Sequence, residues 1–287
     1  MKKTNSIIFT ILLIAALAAL DHRPAKAISD SGFLLKEGPP PPGANDPNCR
    51  PSAAHPEPVV LVPGTFETME RNFINLSPAL KEKGYCVFAL NYGFSTAGPS
   101  TGPIEESAAE LKTFVEKVLD LTGAEKVSIV GHSQGGMMPR YFMKFLGGAE
   151  KVEDLIGLVP SNHGTDGVAG FRELTETGSN FSSCAACQQQ LQGSDFLSDL
   201  NMYDETPGET SYTVVTTRND EVVVPYSSAF LNGPADQVSN ITIQDHYPYD
   251  QVEHQFIAQD PLAFTFVFDA LEYEGPADPE RIVTTSE

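Results

Sequence analysis

Apolar residues in this chain fall into short continuous runs separated by longer stretches of helical spacing. Val59-Val60-Leu61-Val62 is one such run, ending at Pro63-Gly64-Thr65. Four apolar residues in a row read as a strand buried on both faces. Residues 71–83 have helical spacing and stop at Gly84, and residues 85–90 form the next predicted strand. Ile104, Ala108, Leu111, Val115, Val118 and Leu119 recur at helical intervals, which predicts a helix over 104–121 with Gly123 as its stop. Further strands are predicted at 127–130, 155–159, 211–217 and 241–243, with a helix-compatible stretch over 137–146. A closing helix is predicted over 260–271, capped by Asp260 with Pro261 at its first position. Apolar strands alternating with helices imply an α/β domain built on a mostly parallel sheet covered on both faces.

Two regions break this rhythm. Residues 161–208 are rich in Gly, Ser and Gln, lack a clear strand and read as a cap-like insertion; loops of this length are usually functional. Residues 28–58 are rich in Pro and Gly and read as an N-terminal arm. Before them, Met1-Lys2-Lys3, an apolar run over 7–20 and Ala25-Lys26-Ala27 have the form of a secretory signal peptide over 1–27. The run is shorter than the roughly 20 residues a membrane span requires. The expected organisation is leader, arm, one domain over 59–273 and a tail over 274–287.

Composition sharpens the picture. The chain has 18 basic and 38 acidic residues. Residues 1–27 hold four of the basic and one of the acidic ones, leaving 14 against 37 in the expected mature chain. Such a surface disfavours nucleic acid and anionic membranes as partners, and no stable membrane insertion is expected. The four cysteines, an even number in an exported chain, suggest two disulfides. Cys184-Ala-Ala-Cys187 would close locally, since no second C-x-x-C or thioredoxin-like pattern accompanies it; Cys49 would then pair with Cys86.

The most specific chemistry lies at Gly131-His132-Ser133-Gln134-Gly135, a G-x-S-x-G motif between a predicted strand and a helix-compatible stretch. The sharp turn exposes a serine above the sheet, where backbone N–H groups can hold an oxyanion. A serine nucleophile needs a base held in one tautomer by an acid, and on this sheet type the chain order is Ser, Asp or Glu, His. Asp220 follows the 211–217 strand and is the candidate acid, with Glu221 beside it as the alternative. His254, shortly before the closing helix, is the candidate base; His246 is the other histidine after Asp220. His132 lies inside the turn, packed beneath the site. The oxyanion donors would be the N–H of Gln134 and that of Thr65, with help from the Thr65 hydroxyl. Met137, Met138, Phe94, Phe66 and the insertion are candidates to line an acyl pocket.

These segments resemble the secreted bacterial class 2 lipases. The likeness rests on Pro58–Thr65, Gly84–Gly93, Val130–Gly136 and Asp220–Pro225, in order along nearly the whole domain. The Pro63-Gly64-Thr65 turn and Asp220-Glu221-Val222-Val223 also resemble Candida-type lipase B; the class 2 family more usually has His-Gly where Pro63-Gly64 stands. The resemblance implies an α/β-hydrolase fold, a triad of Ser133, Asp220 and His254, and Thr65 and Gln134 as the oxyanion hole. It implies a monomeric serine hydrolase acting on an ester or lipid, at an oil–water interface in the lipase case. No cofactor is expected, and no EF-hand-type spacing supports a structural calcium. Short-chain esters and polyesters remain alternative substrates. A non-catalytic hydrolase-like binding protein would have lost one of the three residues.

Overall fold

The apolar runs assemble into one six-stranded sheet whose neighbours are all parallel. In the computed structural model the described residues are 38–166 and 183–283. The expected leader and the middle of the insertion, residues 167–182, lie outside them. The strands are β1 (Val59–Val62), β2 (Val87–Ala89), β3 (Val127–His132), β4 (Val152–Leu158), β5 (Ser211–Thr216) and β6 (Val238–Thr242), in the spatial order β2-β1-β3-β4-β5-β6. The helices are α1 (Met69–Asn72), α2 (Leu76–Glu82), α3 (Ile104–Thr122), α4 (Gln134–Phe145), α5 (Ala185–Gln189), α6 (Asp195–Asn201), α7 (Ile243–His246), α8 (Pro261–Glu272) and α9 (Pro279–Val283).

Strand side chains alternate between two cores, as a pleated sheet covered on both faces requires. Val60, Val62, Phe88, Ile129 and Val214 join α3, α4 and the insertion on one face. Val59, Leu61, Val87, Val130, Ile156 and Val215 join α1, α2 and α8 on the other. The strands' carboxyl ends share one edge, where ligands bind in open parallel sheets.

The β2 edge is blunted by an asparagine that imitates backbone, and an asparagine on β6 uses its side chain in the same way on the segment before that strand. Along β2, Asn45 Nδ2 donates to the Ala89 carbonyl and Oδ1 accepts the Ala89 N–H. Along β6, Asn240 Oδ1 accepts the Leu231 N–H while Nδ2 donates to the Leu231 carbonyl. The Asn45 pairing occupies the Ala89 groups through which a bare β2 edge would recruit another chain. The arm carrying Asn45 is tied to the sheet by the Cys49–Cys86 disulfide.

Beyond shifted ends, with β4 beginning three residues early at Val152 and β2 reduced to Val87–Ala89, the structure departs from the expected elements at α1–α2 and at β6. The helix expected over 71–83 is broken between α1 and α2. Pro78 has no N–H to give to the Ile74 carbonyl, so it sits in the first turn of a new helix. The strand expected at 241–243 is β6, starting at Val238, and Ile243 already begins α7. The polar Ser239 and Asn240 of this edge strand conceal its first half from a hydrophobicity pattern.

The described parts of the insertion contain α5 and α6 and are fastened to α4 by two cations. Arg140, fully buried, donates to the Glu205 carbonyl and to the side chains of Asn162 and Asn201. Lys144 Nζ donates to the carbonyl of Leu200 in the last turn of α6 and to those of Met202 and Asp204 just past it.

Candidate active site

The candidate triad residues Ser133, Asp220 and His254 all follow carboxyl ends of strands, those of β3, β5 and β6. Ser133 follows β3 at φ 55°, ψ −123°, a strained setting for a residue with a side chain. Two glycines make the turn possible. A Cβ at Gly131 would lie 1.9 Å from the Gly135 carbonyl oxygen, and one at Gly135 would lie 2.1 Å from that of Val62. The Ser133 N–H donates to the Leu158 carbonyl at 2.9 Å, locking the turn to β4. Ser133 is the N-cap of α4, so its hydroxyl stands at the positive end of a twelve-residue helix.

Asp220 follows β5. Its Oδ1 accepts the N–H groups of Val222 at 2.9 Å and Val223 at 2.8 Å. The His254 Nδ1 lies 2.9 Å from Oδ1 and 3.0 Å from Oδ2. A carboxylate can only accept there, so Nδ1 carries the proton and Nε2 is left with its lone pair. Glu221 instead accepts the His254 backbone N–H at 3.2 Å. His246 stands on α7 with its ring against Phe266, at a centroid distance of 5.6 Å.

His132 contacts the same histidine from below: its Nε2–H donates to the His254 carbonyl at 2.9 Å. Burial, followed by the neighbouring His254, pushes the His132 pKa down to about 3. The loop after β1 is equally braced. Asn72 Oδ1 accepts the Gly64 N–H at 2.9 Å, and the Tyr92 hydroxyl donates to the Pro63 carbonyl at 2.7 Å. Buried Glu67 receives Arg71 through Nε and Nη2 and Gln255 through Nε2, joining this loop to the one carrying His254.

Ser133, His254, Thr65, Phe66, Val222 and Val223 line one cavity of about 130 Å³. Among the described residues, no group accepts the backbone N–H of Thr65 or of Gln134. The Thr65 hydroxyl is already committed, donating to Gln134 Oε1 at 2.7 Å. Of the other candidate pocket residues, Met137 and Met138 are fully buried in the core and Phe94 is half exposed away from this lining. Sequence reasoning missed Gln190, Glu67 and Arg140, each of which has a partner remote along the chain. Among the described residues, no group of three or more His, Cys, Asp or Glu could hold a metal.

Sheet order, elbow and acid–histidine pair define an α/β-hydrolase architecture. The same architecture recurs in lipase B of Aspergillus fumigatus, with a TM-score of 0.68 at 21% identity over 86% of this chain and 66% of that one. It recurs in the mature lipase BlEst2 of Bacillus licheniformis, with a TM-score of 0.61 at 16% identity over 79% and 96% of the two chains. The family model for Lipase (class 2) matches residues 56–266, and the chain belongs to that family. Triacylglycerol lipases of Pseudarthrobacter phenanthrenivorans and Burkholderia plantarii are each 35% identical over 90 residues, 29% of this chain. That stretch spans 27% and 24% of those proteins' lengths, about a quarter of each.

Proposed function

We propose that this chain is a secreted carboxylic-ester hydrolase, with triacylglycerols as its principal substrate class, acting as a monomer at an oil–water interface. The observation that carries the reading is the two-oxygen grip of Asp220 on His254 beside a strained serine in the same cavity. Membership of the class 2 lipases supports lipid esters as substrates, and the two disulfides are compatible with export. Polar Ser161, Thr165 and Gln190 along the cavity favour short soluble esters as a second reading.

In this mechanism Ser133 Oγ attacks the ester carbonyl while His254 Nε2 takes its proton. The carbonyl oxygen becomes an oxyanion, received by the N–H groups of Thr65 and Gln134. The C–O bond to the alcohol breaks, and His254 returns the proton to the departing oxygen. Water, deprotonated by His254, then attacks the acyl-Ser133 ester. The tetrahedral intermediate collapses, and the proton returns to Ser133 as the carboxylic acid leaves. Asp220 keeps the ring in the required tautomer and favours its transient positive charge.

The test is Ser133→Ala together with a phosphonate ester probe. The variant is expected to lose about 10⁴-fold or more in ester hydrolysis while keeping its fold. The probe is expected to add to the Ser133 peptide of the wild type. Full activity in the variant, or labelling of another serine, refutes the proposal. Rates on esters of increasing acyl length then separate the two substrate classes.

A further inference from the structure

Gln190 lies in the insertion, 125 residues from Thr65 in sequence, yet its amide is bonded to the side chains of both proposed oxyanion donors. Nε2 donates to Thr65 Oγ1 at 3.0 Å and to Gln134 Oε1 at 3.2 Å. Thr65 and Gln134 are themselves joined at 2.7 Å, so the three side chains close a triangle. The Gln190 Oε1 accepts the Ser161 hydroxyl at 2.8 Å, which fixes which way the amide faces. Gln190 is 5% exposed and lines the cavity holding Ser133.

The residue is held from outside the triangle as well. It is the C-cap of α5, and its N–H donates to the Ala186 carbonyl. The Cys184–Cys187 disulfide closes this turn. Gln189, one residue earlier, accepts the Ile104 N–H at 2.8 Å and donates to Glu105, pinning the turn to the start of α3. The Gln190 carbonyl accepts the Thr165 N–H at 3.0 Å.

We infer that Gln190 is a positioning residue of the oxyanion hole, setting the spacing of the Thr65 and Gln134 N–H groups through their side chains. This rests on the hydrolase reading above. The two N–H groups come from different loops, one after β1 and one after β3. Shared bonding to a third, independently anchored amide holds them in place before charge develops on the substrate. Donors fixed in advance need no reorganisation during the reaction, and a small misplacement is costly to rate. Gln190 makes its contribution in the transition state, so its loss falls on kcat and leaves KM largely intact.

The test compares wild type, Gln190→Met and Gln190→Glu on p-nitrophenyl butyrate, with melting temperature and the rate of Ser133 phosphonate labelling measured in parallel. Methionine fills the space without donating. It is expected to lower kcat and the labelling rate about 10- to 100-fold, less than outright loss of a donor, with KM changed by under about threefold. Gln190→Glu lacks the donor when ionised and regains one when protonated. Its deficit relative to wild type is therefore expected to shrink as pH falls from about 8 to about 5. Both variants within about twofold of wild type in kcat, or a loss confined to KM, overturns the inference. So does a loss that follows the melting temperature and leaves Gln190→Glu independent of pH. Failure of the wild type to label at Ser133 refutes the hydrolase reading; normal labelling with unaffected variants refutes only the role of Gln190.

Discussion

Four short contacts converge on one carboxyl group: two backbone N–H groups and the two distances from His254 Nδ1 to Asp220. With His132 and Glu221 holding the His254 backbone on either side, the ring has few alternative positions. His254→Ala is therefore expected to match Ser133→Ala in lost kcat, because residues acting as a unit fail together. His246→Ala, altering a ring packed on Phe266, is expected to keep more than about half the activity. Steady-state rates on a soluble ester decide, and the reverse pattern would move the base to His246. At this scale the sequence was legible where chemistry constrains chain order: an elbow must be glycine-flanked, and acid and base must follow in turn. It was silent where a residue acts through distant partners. Gln190 sits in Gln188-Gln189-Gln190, where nothing local marks the third amide as different.

At the level of elements, the two disulfides brace different things. Cys49–Cys86 spans 37 residues and joins the arm to the segment entering β2, whereas Cys184–Cys187 spans three and closes the turn that presents Gln190. Loop-closure entropy gives about 4 kcal/mol for the longer link and about 2 kcal/mol for the shorter. Cys49→Ser/Cys86→Ser is thus expected to lower the melting temperature more, while Cys184→Ser/Cys187→Ser lowers kcat more, by several-fold. Calorimetry beside ester kinetics tests the pair. A Cys184→Ser/Cys187→Ser protein with wild-type kcat would detach the turn from catalysis. Strands β1 to β5 were readable because their burial is nearly continuous, and the long helices because their buried positions recur at helical intervals. α1, α5 and α6 were not, being short pieces whose ends are set by capping from Thr68, Cys184 and Ser194. Arg140 gave no signal either, since a charged residue on an amphipathic helix ordinarily reads as its solvent face. Here the insertion buries it and supplies acceptors from positions 162, 201 and 205.

At the scale of the whole molecule, one buried carboxyl group stands at the end of the sheet opposite the active site. Asp154, near the start of β4, is 8% exposed and accepts the Ser128 hydroxyl at 2.8 Å. Burial pushes its pKa up to about 7 from the usual 3.8, and nearby Glu153 and Glu57 add to the rise while Ser128 opposes it. Between those two values the folded protein keeps the Asp154 proton while the unfolded chain has lost its own. The folded state then holds more protons than the unfolded state, so this group's contribution to stability falls as pH rises from the unfolded value to about 7 and levels off above it. Asp154→Asn retains an oxygen for Ser128 and has no proton to lose. Its melting temperature relative to wild type is expected to climb between about pH 4 and about pH 8, reaching an advantage of at least about 3 °C. General repulsion among the other acidic groups is common to both proteins and drops out of the difference. Thermal scans at several pH values make the comparison, and a difference that stays flat, or turns against the variant at high pH, would mean that Asp154 ionises in the folded state without cost.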